Sequence, residues 1–158
     1  MSLSEKSCVS GVGETTYMRG STQTPLELQL EAPLKAIADA GLDPKDIDGV
    51  IPIGIVSGTA EDFVDNFGIP DLRFSAVIPH GGASPAIALQ CAAAVVGSGV
   101  CKHLLITFGR SVTASANKAG ARIHNMPQFH YVTEFEHPQG NSAPAQIYAP
   151  MARRHMEL

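Results

Sequence analysis

This chain is sparing with charge. Charged residues make up 16% of its 158 positions, no basic run appears, and the formal net charge is −4. A nucleic-acid partner needs clustered cations to neutralise phosphates, so that class of function has no support. Long apolar runs are missing too: each hydrophobic stretch is interrupted well short of the ~20 residues that a helical bilayer span requires. Cysteine is scarce. Cys8, Cys91 and Cys101 form neither an even set nor a C-x-x-C pair, so no disulfide framework is expected and a reducing, cytoplasmic setting fits. Metal motifs are absent: there is no H-E-x-x-H, and His124, His130 and His137 match no ligand spacing, so no metal site is expected. Gly11-x-Gly13 lacks the third glycine of a dinucleotide loop, with Thr16 in its place. Residues 1–6 carry no apolar stretch of the kind that marks a secretory signal.

What the chain does have is a core. Hydrophobic residues make up 44%, enough for a globular domain. Residues 8–17 read as a first strand with glycines at its exit. Thr24-Pro25-Leu26-Glu27 announces a helix, with Thr24 as cap, Pro25 in the first turn and Glu27 closing a capping box. Leu30, Leu34 and Ile37 fall on one face of that helix. Pro33 lies inside the pattern and predicts a kink, and Gly41 is a natural terminator. Residues 48–55 read as a second strand, with Pro52 arguing for an edge or a bulge. Residues 60–67 suggest a short helix ending at Gly68.

Residues 74–110 are the most informative. A strand-like run ends in Pro79-His80-Gly81-Gly82, an apolar helix follows from Ser84 to Gly99, and a second strand-like run covers 103–108. Strand, glycine turn, helix, strand is a βαβ unit, and its turn lies at the carboxyl end of a strand, where open α/β sheets place their ligands. The helix is apolar nearly all round, which predicts a cover on both sides, by two layers or at a subunit contact. At the turn, Gly81-Gly82 reads either as a cradle of backbone amides for an anion or oxyanion or as a tight turn that needs glycine. Ser84 reads as a helix cap with Pro85 in the first turn. A nucleophile elbow is the weaker reading, because the closing glycine of G-x-S-x-G is missing. His80 reads as an acid, base or substrate contact, or as a structural hydrogen-bonding group at a strand end.

After residue 110 the composition shifts to Ala, Asn, Pro, Gln and His with weak periodicity, as in a lid or binding loop. A helix-like run begins near residue 147 and has no terminator, so the chain is expected to be part of a larger fold. The expected organisation is a core over 7–110 and a loop region with the start of a further helix over 111–158.

The order of motifs resembles the amino-terminal half of the thiolase superfamily. The matching pieces are Gly11-Val-Gly-Glu-Thr15, the run Ala38-Asp-Ala-Gly-Leu-Asp-Pro-Lys-Asp-Ile-Asp-Gly-Val50, the turn Gly82-Ala-Ser84, the strand Leu104-Leu-Ile-Thr-Phe-Gly109, and Ala149-Pro-Met-Ala-Arg-Arg-His-Met156. The nearest types are the sterol-carrier-protein-type thiolases and the thiolase-like aldolases that shorten steroid side chains. The resemblance implies a layered α/β fold with a mostly parallel mixed sheet and a buried central helix. It implies acyl-CoA thioester substrates with no covalently bound cofactor, and a homodimer formed through residues 74–78 or a heteromer with an accessory subunit. Arg110, Lys118, Arg122, Arg153 and Arg154 become candidates for coenzyme A phosphates, or ordinary surface charges. Laid on this sequence, the family's nucleophilic Cys falls on Gly82. A thiolate is what holds the acyl group in that chemistry, so three readings stay open: an enzyme without an acyl-Cys step, for which retro-aldol carbon–carbon cleavage is the concrete version; a non-catalytic acyl-CoA or lipid-binding subunit; and a conventional acetyl-CoA acetyltransferase, against which Gly82 argues.

Overall fold

The computed structural model describes residues 5–18, 20–53, 58–109, 134–135, 137–140 and 144–158. The chain divides into two compact units, Met1–Ala114 and Ser115–Leu158.

The first unit is an α/β layer. Three parallel strands, β1 (Gly49–Ile53), β2 (Phe74–Ser75) and β3 (Leu104–Phe108), lie in the order β2-β1-β3. Gly49 pairs with Phe74 on one side and Leu104 on the other, and the β1–β3 ladder continues to Ile53 and Phe108. Helices α1 (Pro25–Asp39), α2 (Ala60–Phe67) and α3 (Ser84–Gly97) cover the strands. Side chains alternate across a strand, and the two cores follow that alternation. Val50 and Leu105 join Ile37, Phe63, Phe67 and Ile69 under α1 and α2. Ile51 and Ile53 join Ile78 and Ala88 under α3.

Local chemistry sets the element ends. Thr24 and Glu27 form the expected reciprocal capping box at α1. The helix runs unbroken through Pro33 to Asp39. It closes with Gly41 at φ +70°, the Gly41 amide donating to Ala38 and the Leu42 amide to Ile37, the bonding of a Schellman motif. Gly68, at φ +63°, ends α2.

Several expectations are corrected. The buried stripe of α1 is Gln29, Pro33 and Ile37, with Leu28 beside it, while Leu34 is exposed. Pro52 lies neither at an edge nor at a bulge. It sits in the central strand opposite Thr107, and the missing N–H is tolerated because the ladder with β2 has already ended at Val50. Residues 8–17 carry no strand assignment, having no ladder partner among the described residues. They are strapped to α1 instead: the Val12 amide donates to Asp39 and the Lys35 ammonium to the Glu14 carbonyl. Gly11 and Gly13 approach so closely that an added Cβ would strike Ala36 and Ala32. Ladder pairing of β2 stops at Ser75, short of the expected residue 78. One face of α3 meets the sheet through Ala88, with Ile87, Cys91 and Ala92 beside it, but Leu89 is 52% exposed. The cover expected for its other face is not supplied by the described residues of this unit.

In the second unit the described residues form a one-turn helix at His137–Gln139 and helix α4 (Pro144–Met156), which contains Pro150 and whose Arg153 pairs at 3.0 Å with Glu157 just past its end. No described helix is long and apolar enough to cross a membrane.

Candidate functional site

The carboxyl edge of the sheet is where the strands release their connections. Beyond β2 the chain continues to His80, then turns through the single-turn helix Gly81–Ala83 into α3. Gly81 holds φ +57°, a left-handed conformation natural to glycine. The turn is locked by short bonds. The Ala83 amide donates to the His80 carbonyl at 3.2 Å, and the His80 amide donates to the Ser84 hydroxyl oxygen at 2.9 Å.

The three residues singled out by sequence therefore come together in one turn with different environments. Ser84 is 2% exposed, stands inside the helix rather than at its cap, and uses its oxygen to hold the turn. His80 is exposed. Gly82 is also exposed, and a Cβ built on it would meet nothing within 4 Å, so the mouth of α3 opens onto free space. No side chain caps α3. Its uncapped amino end carries partial positive charge that favours an anion or a developing oxyanion.

Neither Cys91 nor Cys101 stands at this turn. Cys91 is partly buried and lies seven residues into α3, about 10 Å along the axis at 1.5 Å per residue. Cys101 is buried at the opposite edge, before β3. Burial, and secondarily the charge of Asp48, push its thiol pKa up, away from thiolate. Among the described residues no three His, Cys, Asp or Glu gather in a metal-ligating group. Arg110, Lys118, Arg122, His124 and His130 lie outside the described residues, and Arg153 and Arg154 belong to α4 in the other unit.

One residue at this edge escaped the sequence reading. Gln29 in α1 is wholly buried. Its Oε1 accepts the Gly58 amide at 2.6 Å, and its main-chain oxygen accepts the Thr107 hydroxyl at 3.2 Å. Among the described residues its Nε2 meets no acceptor. A cleft of about 1260 Å³ lies elsewhere: it runs between residues 7–18 and β3, lined also by α1 and α3, and includes none of the three turn residues.

With this geometry established, the relatives become informative. No protein-family model matches the chain. The chain is 31% identical, over 99% of its length, to a 17-hydroxy-3-oxo-4-pregnene-20-carboxyl-CoA lyase of Mycobacterium tuberculosis. It is 28% identical, over 94% of its length, to a steroid side-chain-cleaving aldolase of Thermomonospora curvata. Among solved structures it is similar to the Ltp2-ChsH2(DUF35) aldolase, with a TM-score of 0.76 and 29% identity over 94% of the chain. The chain spans 41% and 39% of the two curated relatives and 37% of the solved one. The fold is thiolase-like, and the similar proteins are aldolases.

Proposed function

We propose that this chain is the thiolase-like portion of an aldolase that cleaves a carbon–carbon bond in a β-hydroxyacyl-CoA thioester without forming an acyl-enzyme. The observation that carries this reading is Gly82: at the turn where the resemblance calls for a nucleophilic Cys there is a glycine facing open space. A side chain of hydrogen cannot hold an acyl group, whereas a retro-aldol step asks for no protein nucleophile. A base removes the β-hydroxyl proton, the bond between the α and β carbons breaks, and a carbonyl fragment leaves. The electron pair passes into the enolate of the shortened thioester, which is then protonated at the α carbon. Amides of the Gly81–Gly82 turn, at the positive end of α3, suit the enolate oxygen. His80, exposed in the same turn, is the residue this reading assigns to substrate contact or proton transfer. The aldolase names of the similar proteins support the same reaction class. The name of the solved relative carries two components, which favours a heteromer with an accessory subunit over a chain acting alone. A conventional acetyltransferase fits less well, because its thiolate has no counterpart at Gly82.

The test is turnover. The full-length protein, alone and with a candidate accessory subunit, is incubated with a β-hydroxyacyl-CoA bearing a steroid-like side chain. Release of a ketone or aldehyde together with a shorter acyl-CoA is expected; thiol-dependent acyl transfer in its place would overturn the reading.

A further inference from the structure

We propose that the cleft between residues 7–18 and the outer edge of β3 is the seat of one further β-strand, supplied by a part of the full-length polypeptide outside these 158 residues. The proposal rests on the reading above that this chain is one portion of a longer protein. β3 is the last strand of the sheet, with β1 on one side and no strand on the other. Along a strand, alternate residues turn their amides and carbonyls to opposite sides. The His103 carbonyl accepts the Gly49 amide at 3.2 Å, so the odd residues of β3 face β1. Leu104, Ile106 and Phe108 turn their main-chain groups toward the cleft, where no described residue bonds them. The opposite wall has the same character. Residues 11–16 alternate between partly buried and exposed, the period of an extended strand, with Gly11 and Gly13 against α1. The Val12 amide and the Glu14 carbonyl are bonded to α1 side chains. The amides and carbonyls of Gly11, Gly13 and Thr15 have no partner among the described residues.

The two helical faces of the cleft are apolar. α1 lines it with Ala32, Ala36 and Ile37, and α3 with Leu89, Ala93 and Val96. A strand seated here has a helix on each side, so both its faces must be apolar. The expected occupant is a run of at least five residues, the length of β3, rich in Val and Ile, with no charge and no internal Pro. The walls present main-chain groups at a two-residue repeat, which an extended backbone matches and a small ligand does not. A second copy of this chain offers no such strand among its described residues, because its β1, β2 and β3 are already paired in their own sheet. The remaining polypeptide can supply it: the chain spans only 41% and 39% of the curated relatives. Filling the cleft makes residues 8–17 a strand and covers Val12 and Leu89, which are 73% and 52% exposed without it.

Two measurements on the full-length protein test this. The first is residue-resolved hydrogen exchange. The Leu105 and Thr107 amides are held by β1 whether or not the cleft is filled, and serve as the internal reference. With a strand in the cleft, the Ile106 and Phe108 amides exchange within about tenfold of that reference, as members of one cooperative unit; an open edge leaves them on the order of a hundredfold or more faster. The second measurement places a photoreactive phenylalanine analogue at Val12, on the cleft wall. Irradiation is expected to link it to a peptide of the same polypeptide from outside residues 1–158, carrying an apolar run of the kind described. Fast exchange at Ile106 and Phe108 overturns the added strand. Slow exchange with capture only of a second polypeptide, only of residues 1–158, or of nothing overturns the occupant named here. A native polypeptide no longer than 158 residues overturns instead the reading of this chain as a portion, and the strand falls with it.

Discussion

The two edges of the sheet are built on opposite plans. At the amino edge, Asp48 joins the approaches to all three strands. Its carboxylate accepts the amides of Lys102 at 2.9 Å and His103 at 2.8 Å, its amide donates to His103, and its carbonyl accepts the amides of Arg73 and Phe74. Cys101 is sealed beside it at 1% exposure. At the carboxyl edge, Gly82 faces open space, His80 is exposed, and the Gln29 Nε2 meets no acceptor among the described residues. One edge has its hydrogen bonds spent on joining strands, while the other holds groups in reserve. The function proposed above would set chemistry at the end of the strands opposite the one Asp48 ties together, the carboxyl ends being where parallel sheets bind ligands.

The sharpest way to break this comparison is to overfill the back of the carboxyl edge. Gly109→Ala forces a methyl into Gln29 and the Pro25 carbonyl, and a loss of about 3 kcal/mol in urea unfolding is expected for such overpacking. A value near zero would mean that α1 does not pin this exit. Next, Asp48→Ala leaves the Lys102 and His103 amides without their acceptor. A loss of about 2 kcal/mol follows, given bonds to a charged but partly exposed group. Cys101 should then react with a thiol reagent under native conditions, whereas in the wild type exposed Cys8 labels first. Gly82→Ala, in contrast, is expected to shift stability by no more than about 0.5 kcal/mol, since its methyl meets no neighbour. Two glycines on one edge, so different in cost, would separate a packed wall from an open site.

The smallest effect concerns pH. Hydrogen bonds from the Thr24 backbone and side chain hold the Glu27 carboxyl below its ordinary pKa. A carboxyl whose folded pKa is depressed contributes stability above its unfolded pKa and loses it as pH falls through the folded value. Protonation therefore opens the capping box, and unfolding followed in acid should show a slight loss that Glu27→Gln abolishes.

Much of this fold was legible in the sequence because the signals were local. The capping box at Thr24 and Glu27, the glycine stops at Gly41 and Gly68, and the strand–turn–helix from Phe74 to α3 each rest on a few adjacent residues. What escaped was set by distant partners. Gln29 and Pro33 are invisible to a hydrophobic pattern, which points to Leu34 and not to the face that meets Thr107. Pro52 reads as an edge residue until the shortness of β2 is known. Residues 8–17 have the composition of a strand, but a strand exists only with a partner beside it. At the turn, sequence alone brought His80, Gly82 and Ser84 together, yet it could not reveal that the Ser84 oxygen already serves the His80 amide.

The central claim is that this turn handles a thioester with no sulfur to capture it, and intact-mass measurement tests that most directly. After the full-length protein is incubated with acyl-CoA or β-hydroxyacyl-CoA, its mass should be unchanged, with a released carbonyl compound in the β-hydroxyacyl sample. An acyl increment mapped to Cys91 or Cys101 would contradict the account.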